Sequence, residues 1–527
     1  MRAVNWRRMS FPGGVLVLLI LPMSPVSAQP SGGPYGPIRQ TYAVPEDAGT
    51  VYYVAPDGKA KASGKTLRKP TTLEAAIERA TTGDAIILRG GTYRTGNLVF
   101  NQAITMQPYQ DEEPVLKGTF VASDWQKQDN GLWVTSWSRL FPAKPQTWWR
   151  RHREGKITPQ HRFNNDMVFV DGVFLQSAGW EGELDETNYY IDYDAGLVYL
   201  AIDPTDRLVE ITAFDLCIRR TTGEVHGRQS DGKGPTLRGI TFTQYAFRAF
   251  EIEGTFPEGL SDEADHGKEV TGMTMEHCTI SFCSRAAGWF RGDNFTMRHC
   301  KISDTSTEGV YLESSGDALL EKNIFTRNNI EQLTGYYPAA VKIFNQCYRT
   351  VCNDNLVIDQ PYSNGIWYDV GNVDGVFTNN WVEGVGTYTT EFASERMWRD
   401  YIGFFFEISK GAVCTGNVFV NNGNGVCALN ASNVEFYNNT LINSTAVIAR
   451  TSRGSVPDHF GWHPTTGPGV DERYGHIFVN NLLYGDKDFD RPLLYVWQPA
   501  ELCKRASNSQ LEQLDYNMYV RGQGAGD

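Results

Sequence analysis

The sequence has little of what a metal site or a nucleic-acid surface needs. It has no Cys-x-x-Cys pair and no His-Glu-x-x-His motif, so it predicts neither a metal site nor another cofactor. Its 48 Lys and Arg residues are outnumbered by 61 Asp and Glu residues, which gives a net charge of −13. Proteins that bind nucleic acid or an anionic membrane need a basic surface, so the composition excludes both classes of partner.

Long apolar runs are also missing, and the one near the start is short. Arginines at the first positions, an apolar stretch at 14–21 and small residues at 26–28 are typical of a secretory signal peptide over residues 1–28. The apolar stretch falls short of the roughly 20 residues that span a membrane. The sequence therefore predicts a secreted or periplasmic protein with no membrane attachment after cleavage.

Nine cysteines make an odd number, so at least one thiol is unpaired or bonded outside the chain, and the pairing stays open. Seven of them lie in strand-like segments, where buried thiols act as small core residues. These are Cys278, Cys283, Cys300, Cys347, Cys352, Cys414 and Cys427.

A repeat runs through the second half of the chain, which has 527 residues. Short apolar strands recur with a base period near 22 residues, and each carries a small polar residue at the same place. The polar positions are Asn323, Asn355, Asn380, Asn417, Asn439 and Asn481, preceded by Cys300 and Cys278. Units of this length, rich in Val, Ile, Phe and Thr, predict the rungs of a parallel β-solenoid with an internal Asn ladder. A β-sandwich with accidental asparagines is the alternative.

The full prediction is an all-β, right-handed parallel β-helix with a capping helix and an inserted domain. Leu73–Ala80 is the predicted helix, which covers the open end of the core. Strands joined by Asp-Gly and Asp-Ala-Gly turns at 123–219 predict a small antiparallel β domain. The chain thus divides into a signal peptide (1–28), a linker (29–49), the cap and first rungs (50–122), the inserted domain (123–219), the main β-helix (220–500) and a C-terminal tail (501–527).

A second recurring strand ends in a charge in six successive rungs. These charges are Glu253, Arg291, Glu313, Lys342, Asp369 and Glu407. The first four alternate in sign, as in a structural ion ladder, whereas Asp369 and Glu407 do not. Alternation along the strands predicts that both acids point outward on one face, one rung apart. Like charges at that spacing repel, which favours a functional role, although Arg396 or Arg399 of the insertion 386–399 is an alternative counter-ion.

The charge pattern assigns a role to each acid. Lys342 is expected to lower the pKa of Asp369, and the charge of Asp369 is expected to raise the pKa of Glu407. One ionised and one protonated carboxyl is what glycoside cleavage requires, and the rung spacing favours a retaining enzyme. Four aromatic side chains beside the charges are candidates for stacking on sugar rings, which predicts a polysaccharide or oligosaccharide substrate. They are Trp289, Tyr311, Trp367 and Phe405.

The segments GIWYDVGNVDGVFTNNWVEGV and YIGFFFEISKGAVCTGNVFVNN resemble the paired rungs of right-handed, pectin-lyase-like β-helix glycoside hydrolases. The pattern is similar to a β-xylosidase family and to a related family with fucosidase and xylanase members. By that resemblance Asp369 is the nucleophile and Glu407 the acid/base. The resemblance covers most of 50–500 for the fold, but the site-level match is confined to about 338–422. It implies hydrolysis of a plant or algal type of glycan and leaves sugar, linkage and oligomeric state open.

Two other functions remain open at this point. A polysaccharide lyase would use Lys342 and Arg291 for proton abstraction and charge neutralisation, although the acid Glu313 between them opposes the binding of a uronate. A non-catalytic glycan-binding protein would use the aromatic side chains alone.

Overall fold

The computed structural model describes most of the chain. The described residues are 30–142, 159–254, 263–265, 267–333, 338–387, 401–454 and 467–522. The predicted signal peptide, Arg396, Arg399 and nearly all of the insertion 386–399 lie outside them.

Three long parallel sheets wind around one apolar core. Sheet A has 13 strands: Val51–Val54, Ala85–Leu88, Thr105–Pro108, Thr236–Arg238, Thr274–Glu276, Thr296–Arg298, Leu319–Glu321, Val351–Asn353, Val373–Thr378, Lys410–Thr415, Ser432–Tyr437, His476–Val479 and Leu511–Asp515. Sheet B has 12 strands: Gly91–Arg94, Pro114–Lys117, Thr241–Tyr245, Thr279–Cys283, Lys301–Ser303, Ile324–Thr326, Leu356–Gln360, Trp381–Val385, Val418–Val420, Thr440–Ile442, Leu482–Gly485 and Met518–Arg521.

Sheet C carries the predicted acids. Its 11 strands are Leu98–Phe100, Leu216–Arg220, Arg248–Ile252, Ala286–Phe290, Glu308–Glu313, Ala339–Phe344, Asn364–Asp369, Ile402–Glu407, Asn424–Leu429, Ala446–Ala449 and Leu494–Trp497. Most rungs contribute one strand to each sheet, and neighbouring rungs pair in parallel. The predicted right-handed parallel β-helix is confirmed.

The internal Asn ladder runs from rung to rung as the repeat predicts. The Asn323 amide nitrogen donates to the Asn355 side-chain oxygen at 3.0 Å, and Asn355 donates likewise to Asn380 at 3.0 Å. The ladder continues through the other predicted positions and gains Asn517, to which Asn481 donates at 3.1 Å. Each amide thereby satisfies buried polar groups of two rungs, which removes the cost of leaving them unpaired.

The helix Leu73–Arg79 closes the N-terminal end of the core. The Thr72 hydroxyl accepts from the Ala75 N–H at 3.3 Å, which satisfies one of the free N–H groups of the first turn. Leu73, Ala76 and Ile77 are buried in the core. Five short 3₁₀ helices lie elsewhere in the described residues: Gln160–Phe163, Glu181–Glu183, Glu263–Asp265, Val470–Glu472 and Ala500–Lys504.

The inserted domain is a separate sheet of eight strands with its own apolar core. In spatial order the strands are Thr119–Val121, Val209–Thr212, Val168–Val170, Val173–Ser177, Asn188–Asp192, Leu197–Leu200, Trp133–Ser136 and Gln126–Lys127. All neighbouring pairs are antiparallel except Val173–Ser177 with Asn188–Asp192. The small antiparallel domain is confirmed.

The two ends of the β-helix differ from the predicted linker and tail. The rungs continue past residue 500, because Leu511–Asp515 and Met518–Arg521 pair with the strands before them. At the other end, residues 30–42 lie across the rungs as an N-terminal arm. The Ser31 N–H donates to Asp354 at 3.0 Å and the Ile38 N–H donates to His277 at 3.3 Å.

Eight of the nine cysteines are buried and Cys503 is exposed. The seven cysteines predicted to be core residues are among the eight. Burial raises the pKa of Cys283 to about 12, which keeps such a thiol protonated at neutral pH. Among the described residues, no helix is both long and apolar enough to traverse a membrane.

Candidate active site

The structure brings Asp369 and Glu407 side by side on the outside of sheet C. Their strands pair in parallel, with Trp367 opposite Phe405 and Asp369 opposite Glu407. The alternate residues, such as Tyr368 and Phe406, belong to the interior core, whereas Trp367 and Phe405 form a separate apolar cluster outside it. Because side chains alternate along a strand, the two acids share the outer face of Trp367 and Phe405.

Glycines hold these strands in register. A Cβ atom on Gly365 would lie 2.3 Å from the Gly403 carbonyl oxygen, and one on Gly403 would lie 2.7 Å from the Gly425 carbonyl oxygen. Both approaches are too close for a real side chain. Glycine at these positions therefore allows the backbones of the acid-bearing rungs to approach, and each acid follows its glycine by four residues.

Lys342 is not in the column of the acids, contrary to the sequence prediction. Phe344 pairs with Glu313 on one side and with Asp369 on the other, so Phe344 occupies that place in the column. Lys342 pairs with Tyr311 and Trp367 in the adjacent outward column. The predicted alternation of charges through Lys342 is therefore wrong, and an aromatic ring separates Glu313 from the acid pair.

Lys342 nevertheless reaches Asp369 from its own column. Its ammonium nitrogen lies 3.2 Å from an Asp369 carboxylate oxygen and 3.9 Å from the centre of the Trp367 ring. The Lys342 and Asp369 side chains are both nearly buried. A buried ion pair with a cation–π contact fixes the orientation of Asp369 and supports its ionised form.

Burial dominates the electrostatics of the acid pair. It raises the pKa of Asp369, and Lys342 opposes that shift, so the predicted lowering of this pKa is wrong. Burial and then the charge of Asp369 raise the pKa of Glu407 well above its usual range, as predicted. The two carboxyls share a hydrogen bond. Since Lys342 forms its ion pair with Asp369, the proton of the pair resides on Glu407.

Arg453 is a further charged residue at the site, which the sequence did not single out. Its positive charge lowers the pKa of both Asp369 and Glu407. It follows the strand Ala446–Ala449, two rungs beyond Glu407. Arg453 could not be predicted from the repeat because it lies in a loop rather than in the repeating strands.

The other predicted charges lie on earlier rungs, and each of them forms an ion pair there. The Arg291 guanidinium lies 2.5 Å from a Glu313 carboxylate oxygen, and the Trp289 indole N–H donates to the same oxygen at 2.9 Å. Glu253 forms its ion pair with Arg219 at 3.4 Å. Arg291 and Glu313 are therefore a structural ion pair, separated from Asp369 by the Phe344 rung.

The predicted sugar-stacking residues are mostly covered. Phe405 is 0% exposed and Trp367 3% exposed, and their rings stack on each other with centres 4.7 Å apart. Tyr311 is also buried, at 6%, and stacks on Trp289 at 4.4 Å. A buried ring has no free face for a sugar, so the stacking prediction is wrong for Phe405, Trp367 and Tyr311. Trp289 is half-buried and remains a candidate.

The role of Lys342 can be tested through the pH dependence of activity. Lys342→Met removes the cation but keeps the length of the side chain, so the pKa of Asp369 rises and less of it is ionised in acid. We expect kcat/KM to fall about tenfold more at the acidic end of the profile than at neutral pH. The measurement is kcat/KM against pH, with Lys301→Met on sheet B as the control. An unchanged acidic limb in Lys342→Met would contradict the assigned ion pair.

An open cavity of about 340 Å³ is lined by residues that are distant from the two acids in the sequence. It is lined by Pro37 and Tyr42 of the N-terminal arm, by Glu113 and by His277. Neither acid lines it, so it does not belong to the candidate site.

Comparison with known families gives one match. A family model described as periplasmic copper-binding protein (NosD) matches residues 254–466. Within the part of the chain that the structure describes, no group of three or more His, Cys, Asp or Glu residues is arranged to hold a metal ion. The described residues therefore do not fit a copper site.

Solved structures are similar in fold. The complex of XylC with xylose shares 15% identity at a TM-score of 0.54, over 89% of this chain and 86% of XylC. A structure described as a glycoside hydrolase shares 11% identity at a TM-score of 0.42, over 90% and 96% of the two chains. The lacto-N-biosidase of Eubacterium ramulus shares 12% identity at a TM-score of 0.38, over 90% and 68%. No curated protein sequence matches the chain.

Proposed function

We propose that this chain is an exported glycoside hydrolase that cleaves glycosidic bonds in a polysaccharide or oligosaccharide. The observation that carries the proposal is the pair Asp369 and Glu407, adjacent on neighbouring rungs, hydrogen-bonded and unequal in proton affinity. Glycoside cleavage uses two carboxyls in different protonation states. The chain is similar in fold to XylC, which was solved with xylose, and this supports a sugar-containing ligand.

In the proposed reaction Asp369 is the nucleophile and Glu407 the acid/base. Lys342 holds Asp369 and favours its ionised form, in which a carboxylate oxygen of Asp369 attacks the anomeric carbon. Glu407, protonated by burial and by the charge beside it, gives its proton to the leaving oxygen as the glycosidic bond breaks. After Asp369 is esterified, its negative charge is gone and the pKa of Glu407 falls, so Glu407 can take a proton from the attacking water.

The spacing of the rungs favours retention of configuration. Equivalent residues on neighbouring rungs are about 4.8 Å apart, close to the roughly 5–5.5 Å between the carboxyls of retaining enzymes. An inverting enzyme needs a wider gap for a water molecule.

The lyase alternative is less well supported. Arg291 is paired with Glu313, and Lys342 is paired with Asp369, so neither cation faces a uronate without a competing carboxylate. Export is part of the proposal, because it rests on the signal-like sequence over 1–28 and on the match to a family described as periplasmic.

The experiment is a panel of polysaccharides and oligosaccharides that includes xylose-containing substrates. New reducing ends without ultraviolet absorbance are expected, because a hydrolase forms no double bond. Proton NMR of the first product is expected to show the anomeric configuration of the substrate. Ultraviolet-absorbing products would replace the hydrolase by a lyase, and binding without any cleavage would leave a glycan-binding protein.

A further inference from the structure

The backbone turns left-handed directly after the acid column, and this turn repeats in five successive rungs. Its residues are Ser314, Asn345, Val370, Ile408 and Asn430, with φ angles of 48°, 62°, 53°, 49° and 52°. Each N–H in this turn column donates to the carbonyl of the acid-column residue on the next rung. For example, the Val370 N–H donates to the Glu407 carbonyl at 3.2 Å. The turn therefore ties the backbone of one acid to that of the other.

Val370 and Ile408 are unusual occupants of such a turn. A positive φ is uncommon outside glycine and is a clear backbone strain for a β-branched residue. Ser and Asn, which occupy the neighbouring rungs, tolerate it better. The described residues include 33 non-glycine positions with positive φ, and Val370 and Ile408 are the β-branched ones among them. Each directly follows one of the two acids.

The side chains of both residues are covered rather than solvated. Val370 and Ile408 are each 1% exposed, and they form an apolar cluster with Phe344 that is separate from the interior core. Phe344 neighbours Asp369 in the acid column, and Leu429 neighbours Glu407 on the other side. The acid pair is thus bordered by apolar side chains along its column and at the turn that follows it.

We propose that Val370 and Ile408 are positioning residues that fix the backbone behind Asp369 and Glu407 and exclude water from the two carboxyls. Asparagine would satisfy the same turn with less strain, as Asn345 and Asn430 do on the flanking rungs. The backbone strain at Val370 and Ile408 is therefore explained by their apolar side chains, which keep water away from the two acids. This inference rests on the proposed function for the roles of the two acids.

The proposal predicts a separation of stability from activity. In Val370→Asn and Ile408→Asn, relief of strain offsets the lost apolar burial, so the melting temperature is expected to stay within about 3 °C of the parent. Water and the amide reach the carboxyls, which favours the ionised form of Glu407. We expect kcat/KM to fall about tenfold or more on the basic side of the pH profile, where Glu407 loses the proton it must donate.

Two kinds of control are available. Val370→Ile and Ile408→Val keep both the strain and the apolar cover, so they are expected to keep the pH profile. Asn294→Val places a β-branched residue at an exposed turn with a φ of 57°, away from the acids. This variant is expected to lower the melting temperature without changing the pH profile of activity. The size of that drop measures the strain of a β-branched residue in such a turn.

A second readout does not depend on activity. Because the folded protein raises the pKa of Glu407, it holds a proton that the unfolded chain releases at lower pH, and the melting temperature falls as pH rises through that interval. This fall is expected to be smaller in Ile408→Asn. If the parent protein hydrolyses no substrate of the panel, the proposed function is wrong. The fall of the melting temperature with pH still tests whether Val370 and Ile408 keep water from the carboxyls. Asparagine variants with the parental slope and pH profile would overturn the inference, and so would variants that melt far below the parent.

Discussion

Glu407→Gln is expected to lower kcat/KM by about 10³-fold, and Asp369→Asn by at least as much. Gln cannot donate or accept the proton that the leaving group and the water require. Asn cannot form the covalent intermediate. The side chains are near-isosteres, and the uncharged Gln suits a buried position, so folding should be preserved. The measurement is the initial rate on the best substrate of the panel, with the melting temperature recorded for each variant.

Glu313→Gln is the matched control for these two variants. Glu313 lies in the same outward column and is also buried, but it is paired with Arg291 and separated from Asp369 by Phe344. We expect its kcat/KM to change far less than that of the other two variants. Equal losses in all three would remove the distinction between the acid pair and the ion pair, and full activity in Asp369→Asn would refute the assigned nucleophile.

The second large effect concerns stability. Asn380→Leu removes an amide that makes four hydrogen bonds inside the β-helix: it accepts from the Asn355 backbone and side chain and donates to Asn417 and to the Cys352 carbonyl. Each buried group left unpaired costs about 1–3 kcal/mol, so we expect the free energy of unfolding to fall by about 4 kcal/mol or more. Chemical denaturation followed by circular dichroism measures the change.

Asn421→Gly is the control for the ladder variant. Asn421 is exposed, has a φ of 51° and accepts one hydrogen bond, from Asn443 at 3.0 Å; glycine removes the amide and tolerates this φ, so the replacement should cost less than about 1 kcal/mol. Similar losses in the two variants would mean that the internal ladder contributes no more than a surface amide.

The fold was predictable because its signals are local and repeated. A polar residue at the same place in each apolar unit indicates an internal ladder. The Thr72–Ala76 segment has the pattern of a helix start, which predicted the capping helix. The acid column was predictable where glycine marks the register, at Gly365 and Gly403. The prediction failed one rung before Gly365, where Ala340 replaces glycine: counting four residues from Ala340 gives Phe344, whereas the charge pattern favoured Lys342.

The remaining features of the site depend on tertiary packing, which could not be predicted from the sequence. The direction of the Asp369 pKa shift is a balance between burial and Lys342, and burial became known from the structure. The cover over Trp367 and Phe405 likewise comes from packing, since both lie at outward positions of their strands. Val370 and Ile408 have a positive φ, which β-branched residues disfavour. Local propensity therefore predicts a negative φ at both positions.

The pairing of Asp369 with Glu407 is made by strands, not by the chain that joins them. The hydrogen bonds between Asn364–Asp369 and Ile402–Glu407 set where each carboxyl stands, and the intervening residues pass through two further sheets before returning. Insertions between the rungs can thus lengthen or shrink without displacing the reacting groups. The loops that would contact a ligand can therefore differ in length and sequence while the two carboxyls keep their positions.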